Sequence, residues 1–135
     1  MSCVLRAGGP EFDTEAYLAD SPFEHVTRYH RGQPRWPSLS GVSRTSGFNV
    51  TVSEADMGDL ATQIDEAIEF LDRHEDELRR LGHFDGVEEM EIDFAVEWRD
   101  VAVQTDWFPP ELLWRAGALD IALRITHYLA QQTES

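Results

Sequence analysis

Four carboxylates share one parity in the stretch VEEMEIDFAVEW, residues 87–98: Glu89, Glu91, Asp93 and Glu97, with Met90, Ile92, Phe94, Val96 and Trp98 on the other. Alternate residues of an extended strand lie roughly 6.8 Å apart on one face. At that spacing Glu91 and Asp93 could serve as paired acid and base on a glycosidic bond, or share a hard cation. The same pattern describes the solvated side of a strand in a chain with 26 acidic residues, or a surface for a basic protein partner. Neither a calcium-binding loop nor a supporting histidine pattern accompanies the row. It therefore reads as a solvent or partner face ahead of a catalytic or metal site.

The second constellation is basic. Between His25 and Ser53 there is no carboxylate, yet Arg28, Arg31, Arg35 and Arg44 lie there, so the segment carries +4 and the remainder −19 of the formal −15. Within it, YHRGQPRWP (29–37) sets Arg31, Arg35 and Trp36 in a Gly/Pro frame, and arginine with tryptophan is a common interface composition. One reading is a loop lying back over a sheet, with Trp36 as plug and the arginines paired to the chain's own acids. The other is a site for an anion or acidic ligand.

The remaining chemistry-bearing residues form no known pattern. Histidines stand at 25, 30, 74, 83 and 127; His74 lies in HEDEL, which lacks the second histidine of a zinc-protease HExxH, and His127 falls on the apolar parity of a strand, as a core-edge residue. Cys3 has no basic pattern beside it, and no serine sits in a GxSxG elbow. All 11 basic residues are arginine, which excludes a Schiff-base lysine and a phosphate loop ending in Lys-Ser/Thr. There is no GxGxxG after a strand, so no cofactor is implied. A charge of −15 repels nucleic acid and anionic membranes. No segment reaches the ~18 apolar residues of a membrane span, the start of the chain lacks a secretory pattern, and one cysteine suits a reducing compartment. The expectation is a cytoplasmic protein.

The elements that must position these residues follow from periodicity. Residues 2–7 make a strand that Gly8-Gly9-Pro10 breaks; Asp13 caps a short helix, with Phe12 and Tyr17 as a hydrophobic staple. Residues 25–31 and 47–53 read as two further strands. Ser53 opens a capping box for one long helix closed by Gly82, with Leu60, Ile64, Ala67, Ile68, Leu71, Leu78 and Leu81 as its apolar stripe and Glu69–Arg73, Glu75–Arg79 and Asp76–Arg80 as i,i+4 pairs. After the strand at 87–98, residues 107–117 form a short helix with prolines at its start and Gly117 at its end, and residues 120–128 a last strand. Trp98, Trp107 and Trp114, each embedded in an apolar pattern, are expected to pack inward. The order is β-α-β-β-α-β-α-β. It implies one α+β domain spanning 1–135 with a polar tail from about 130: an open-faced sandwich with a mostly antiparallel or mixed sheet of about five strands and one long and two short helices on one face.

Landmarks at 2–9, 12–21, 27–32, 46–81 and 109–121 (SCVLRAGG, FDTEAYLADS, TRYHRG, SGFNVTVSEADMGDLATQIDEAIEFLDRHEDELRRL and PPELLWRAGALDI) resemble, in layout and order, the bacterial domain-of-unknown-function family 4279. That resemblance spans nearly the whole chain. It implies a small bacterial α+β protein, and no catalytic residue or cofactor to carry over. The functional expectation is a non-enzymatic, acidic protein-interaction domain whose carboxylate row meets a basic partner, in the manner of an immunity protein. Two alternatives stand beside it: an anion-binding domain or enzyme using residues 28–44, and a structural homodimer formed through an exposed sheet or edge strand.

Overall fold

A computed structural model describes residues 2–33 and 43–129, so Arg35 and Trp36 lie outside the described residues. It has the expected α+β architecture. Strands β1 (Cys3–Gly9), β2 (Thr27–Tyr29), β3 (Ser46–Ser53), β4 (Glu89–Trp98) and β5 (Ala122–Leu129) form one sheet in the order β2-β3-β1-β4-β5. Every neighbouring pair is antiparallel except β4–β5, which is parallel and joined through a helix. Helices α1 (Thr14–Leu18), α2 (Leu60–Arg73), α3 (Glu75–Gly82) and α4 (Pro110–Ala118) share one core with the sheet. Leu5, Ala7, Phe48, Val50, Ile92 and Phe94 supply its sheet side, and Tyr17, Ala67, Leu71, Leu78, Leu81 and Leu112 its helix side. No helix among the described residues is long and apolar enough to cross a membrane.

Local chemistry sets each boundary. Asp13 caps α1 by accepting from the Ala16 N–H at 3.1 Å, and Phe12 meets Tyr17 at 6.2 Å between rings, the expected staple. The single long helix expected from Ser53 is corrected in two ways. It begins only at Leu60, where Asp59 accepts from the Thr62 N–H, because the Ser53 hydroxyl instead accepts from the Ala55 N–H and donates to Glu66 at 2.5 Å. It also breaks at His74 (φ −108°, ψ 20°). No residue between Leu71 and Leu78 is buried, so nothing holds that stretch straight on the core, and the break puts Glu75, Asp76 and Glu77 in the first turn of a new helix, where its dipole favours them. Glu69–Arg73 and Glu75–Arg79 pair as expected, whereas Arg80 pairs with Glu77 rather than Asp76.

The last helix runs past Gly117. Asp120, in the left-handed region at φ 58°, closes it: the Ile121 N–H donates to the Ala116 carbonyl and the Asp120 N–H to that of Gly117, a Schellman arrangement. At the first strand, Gly8 and Gly9 extend β1 rather than ending it. Gly9 permits the close approach of the 84–88 turn, since a Cβ there would lie 1.9 Å from the Gly86 carbonyl oxygen. Replacing Gly9 by alanine forces two backbones apart and is expected to cost about 2–4 kcal/mol in urea unfolding, the scale of severe core damage.

Tyr17 joins α1 to α3: its hydroxyl donates to Glu77, and the Arg80 guanidinium lies 4.4 Å above its ring while bonding the same carboxylate at 2.9 Å. Burial alone would raise the Glu77 carboxyl, but hydrogen bonds from Arg80 and Tyr17 outweigh it and hold the group below its ordinary 4.5. Burial against Phe23 and Phe70, with the Arg73 charge adding to it, holds His74 below its ordinary 6.5. In both cases the unfolded chain binds protons more readily than the folded one, so the stability these groups contribute is present at neutral pH and lost on acidification. The urea midpoint is therefore expected to fall first below about pH 6.5 and again below the ordinary carboxylate range. His74→Gln should remove only the upper step.

Candidate functional site

Glu91 and Asp93 sit mid-strand on the sheet face opposite the helices, between β1 and β5. Their charges are already engaged. Arg6 of β1 donates through Nη1 to Asp93 Oδ2 at 2.6 Å and to Glu91 Oε2 at 3.3 Å. From β5, Arg124 grips Glu91 with two bonds of 2.6 and 3.1 Å, and the Thr126 hydroxyl donates to Asp93 Oδ1 at 2.7 Å. Asp93 is only 8% exposed. Such a bidentate, shared arrangement satisfies the carboxylates by charge-assisted hydrogen bonds within the chain.

The outer members of the row stand apart. Glu89 is exposed and lines an open pocket of about 340 Å³ with Arg79, His83, Glu88 and Asp120, between α3 and the ends of β4 and α4. Glu97 lies at the other end of β4, half-buried, its backbone N–H donating to the Met57 carbonyl. The structure thus brings Glu91 and Asp93 together with two arginines and leaves Glu89 and Glu97 at opposite ends. Among the described residues no three His, Cys, Asp or Glu side chains are grouped to hold a metal ion.

The basic segment is placed in part. Arg28 pairs with Glu15 of α1 at 2.9 Å, and Arg31 with Glu11 at 3.1 Å. These are arginines folded against the chain's own acids. Arg44 is exposed in the bend before β3. The strand expected over 25–31 is shorter, so His25, with φ 56°, and His30 flank β2 rather than lying in it. Cys3 is fully buried under the sheet; burial first, and then the Asp93 and Glu66 charges, push its thiol up to about 12, which leaves it a poor nucleophile.

A different surface stands out. Trp98, Trp107 and Trp114, expected inside, are 43%, 71% and 67% exposed, and Val101, Val103, Leu113, Ile125, Tyr128 and Leu129 are exposed with them. Topology gathers them. β4 ends at Trp98, whose parallel partner across the sheet is Leu129; the 99–109 loop then carries Trp107, and the first half of α4 carries Leu113 and Trp114. Trp98, Trp107, Leu113, Trp114 and Leu129 lie toward the end of the β4–α4–β5 unit where the parallel strands finish, while Ile125 is mid-strand on the helix face and Tyr128 is on the opposite face of the sheet. His127, expected at the core edge, is exposed on the same strand.

The physical reason differs by residue. In α4 the buried stripe is Leu112 and Ala116, at i and i+4, and at ~100° per residue Leu113 and Trp114 cannot share it. Three consecutive apolar residues in so short a helix were the available signal. For Trp98, Ile125 and Leu129 the parity is right, but β5 is an edge strand that α4 covers only in part.

Comparison with protein-family models, curated proteins and solved structures gives no match for this chain. Asp93→Asn removes the carboxylate of the shorter of the two Arg6 pairs and leaves Arg6 with Glu91 as its charged partner. It is expected to lower stability by about 1.5–3 kcal/mol in urea unfolding, more than Glu89→Gln, whose side chain is exposed.

Proposed function

We propose that this protein is a non-enzymatic protein-interaction domain, and that its interaction surface is the apolar corner formed by Trp98, the 99–109 loop, the outer side of α4 and the end of β5. The exposure of three tryptophans at one corner carries this reading. Large exposed apolar groups gathered in one place mark association surfaces, and tryptophan is enriched among residues that dominate binding energy. Charge agrees with the placement. Residues 98–129 hold three arginines and four carboxylates, a net of −1, which leaves −14 for the rest of the chain. The corner is thus nearly neutral, and a neighbour meets little of the chain's negative charge there.

This moves the interface from where the sequence pointed. A basic partner of the immunity-protein kind was to meet the carboxylate row, and the two central carboxylates of that row are held by Arg6, Arg124 and Thr126. The anion-site reading has Arg28 and Arg31 committed to Glu15 and Glu11. The layout resemblance to family 4279 adds no residue role to either.

The test is a double variant, Trp107→Ser with Trp114→Ser. Both side chains are mostly exposed, so the melting temperature should stay within the small range of surface substitutions, about ±0.5 kcal/mol in stability. A polypeptide partner bound by the wild type should be bound at least about thirtyfold more weakly by the variant, the scale of a binding hot spot. Binding unchanged by the double variant would overturn the placement.

A further inference from the structure

The outer edge of β5 has no partner strand among the described residues. It also lacks the usual protections of such an edge, which are proline, bulges, shortness and outward charges. β5 is eight residues long, pairs with β4 without a register shift, and from Ile121 to Leu129 contains no proline, glycine, lysine or carboxylate. Its one arginine, Arg124, is turned inward to Glu91. The opposite edge, β2, is only three residues long.

The cover above β5 is one-sided as well. Arg115 reaches Asp72 of α2 at 3.1 Å and so marks the flank of α4 that faces α2. The other flank carries Leu113 and Gly117, one helical turn apart, and faces outward over the edge. Leu113 is half exposed, and the space beside Gly117 is open. A strand edge rich in free backbone groups and an overhanging apolar helix flank are thus presented side by side.

We infer that a second copy of this chain occupies that edge, β5 pairing antiparallel with β5 about a twofold axis to give one continuous ten-stranded sheet. The inference rests on the apolar corner being an interaction surface and names its occupant. A twofold perpendicular to the sheet keeps both helix layers on one side, so Leu123, Ile125, His127 and Leu129 of the copies meet on the helix face, and Arg124, Thr126 and Tyr128 on the other. The two α4 helices then run antiparallel above the seam, and Leu113 of one lies against Gly117 of the other, a large side chain opposite a vacant position. Charge permits a copy here: the paired segments, residues 121–129, contain arginine, histidine and neutral residues and no carboxylate, so self-pairing brings no acidic surface against acidic surface.

Light scattering on the full chain, from micromolar to millimolar concentration, tests this together with hydrogen exchange. The expected result is a species of twice 15.4 kDa whose β5 amides exchange more slowly as concentration rises. Leu129→Lys and Leu113→Lys, each on an exposed side chain in a different element, should each weaken the dimer about thirtyfold or more and restore fast exchange in β5 while the circular dichroism is kept. A monomer at millimolar concentration overturns the inference, as does a dimer that both lysine variants leave intact. A monomer that still binds another polypeptide through Trp107 and Trp114 would sink self-pairing alone and leave the interaction-domain reading standing; loss of both would sink both.

Discussion

A nearly buried carboxylate, Asp93, sits on the sheet face opposite the helix-packed core, and the middle of the molecule is arranged around it. Burying a charge is costly unless it is paired and hydrogen-bonded. Arg6 from β1 and Thr126 from β5 supply those bonds at 2.6 and 2.7 Å, while Glu91 shares Arg6 and takes both nitrogens of Arg124. One strand slipped by a residue would turn Asp93 into the apolar core and Ile92 or Phe94 outward. The polar clasp and the hydrophobic parity therefore enforce the same register on β1, β4 and β5. What looks like a reactive carboxylate pair is accounted for as the lock on a three-strand alignment.

That lock has a consequence on the other face. β5 is tied to β4 by a parallel ladder and by the Arg124 and Thr126 bonds, so it stays in the sheet without full cover from above. α4, which packs over it, is drawn toward α2 by Arg115 and Asp72 and closes on the core through Leu112 and Ala116. Ile125 and Leu129 then have the correct parity for burial but are only partly covered, at 42% and 67% exposure. A strand held by polar contacts beneath can afford an open apolar side, and the corner at Trp98 and Trp107 follows from that geometry.

How far the sequence revealed this depends on which interaction decided each feature. Alternation in 46–53 and 89–98, the Asp13 cap, the Phe12–Tyr17 staple and the Glu69–Arg73 pair are local, set by residues a few positions apart, and they were legible. The break at His74 was hidden because the apolar stripe resumes in phase at Leu78, seven residues after Leu71, so periodicity alone reads one helix. Strand order was hidden for a deeper reason. Alternation says which side of a strand is apolar, but whether that side is covered depends on the place of the strand in the sheet, and nothing in residues 122–129 records that they lie at the edge. The tryptophans were misplaced by the same gap. The partners of Glu91 and Asp93 were equally non-local, lying 85 and 33 positions away at Arg6 and Arg124 for Glu91.

In the proposed self-pairing, the charge of the chain bears on the orientation in which two copies meet. A patch with three surface tryptophans on a neutral protein would adhere to many things, itself included, in many orientations. Here −14 of the −15 lies outside residues 98–129. Two copies approaching through the acidic parts of the surface meet carboxylates on both sides within a Debye length of about 8 Å at physiological salt, where repulsion is felt. The β5 side combines near-neutral charge, an edge without a partner strand among the described residues and exposed apolar side chains; in the proposed self-pairing the apolar contact supplies the attraction and acidic surface elsewhere opposes other orientations. On the proposed self-pairing, the acidic composition, which first suggested a surface for basic partners, acts instead against association through the acidic faces.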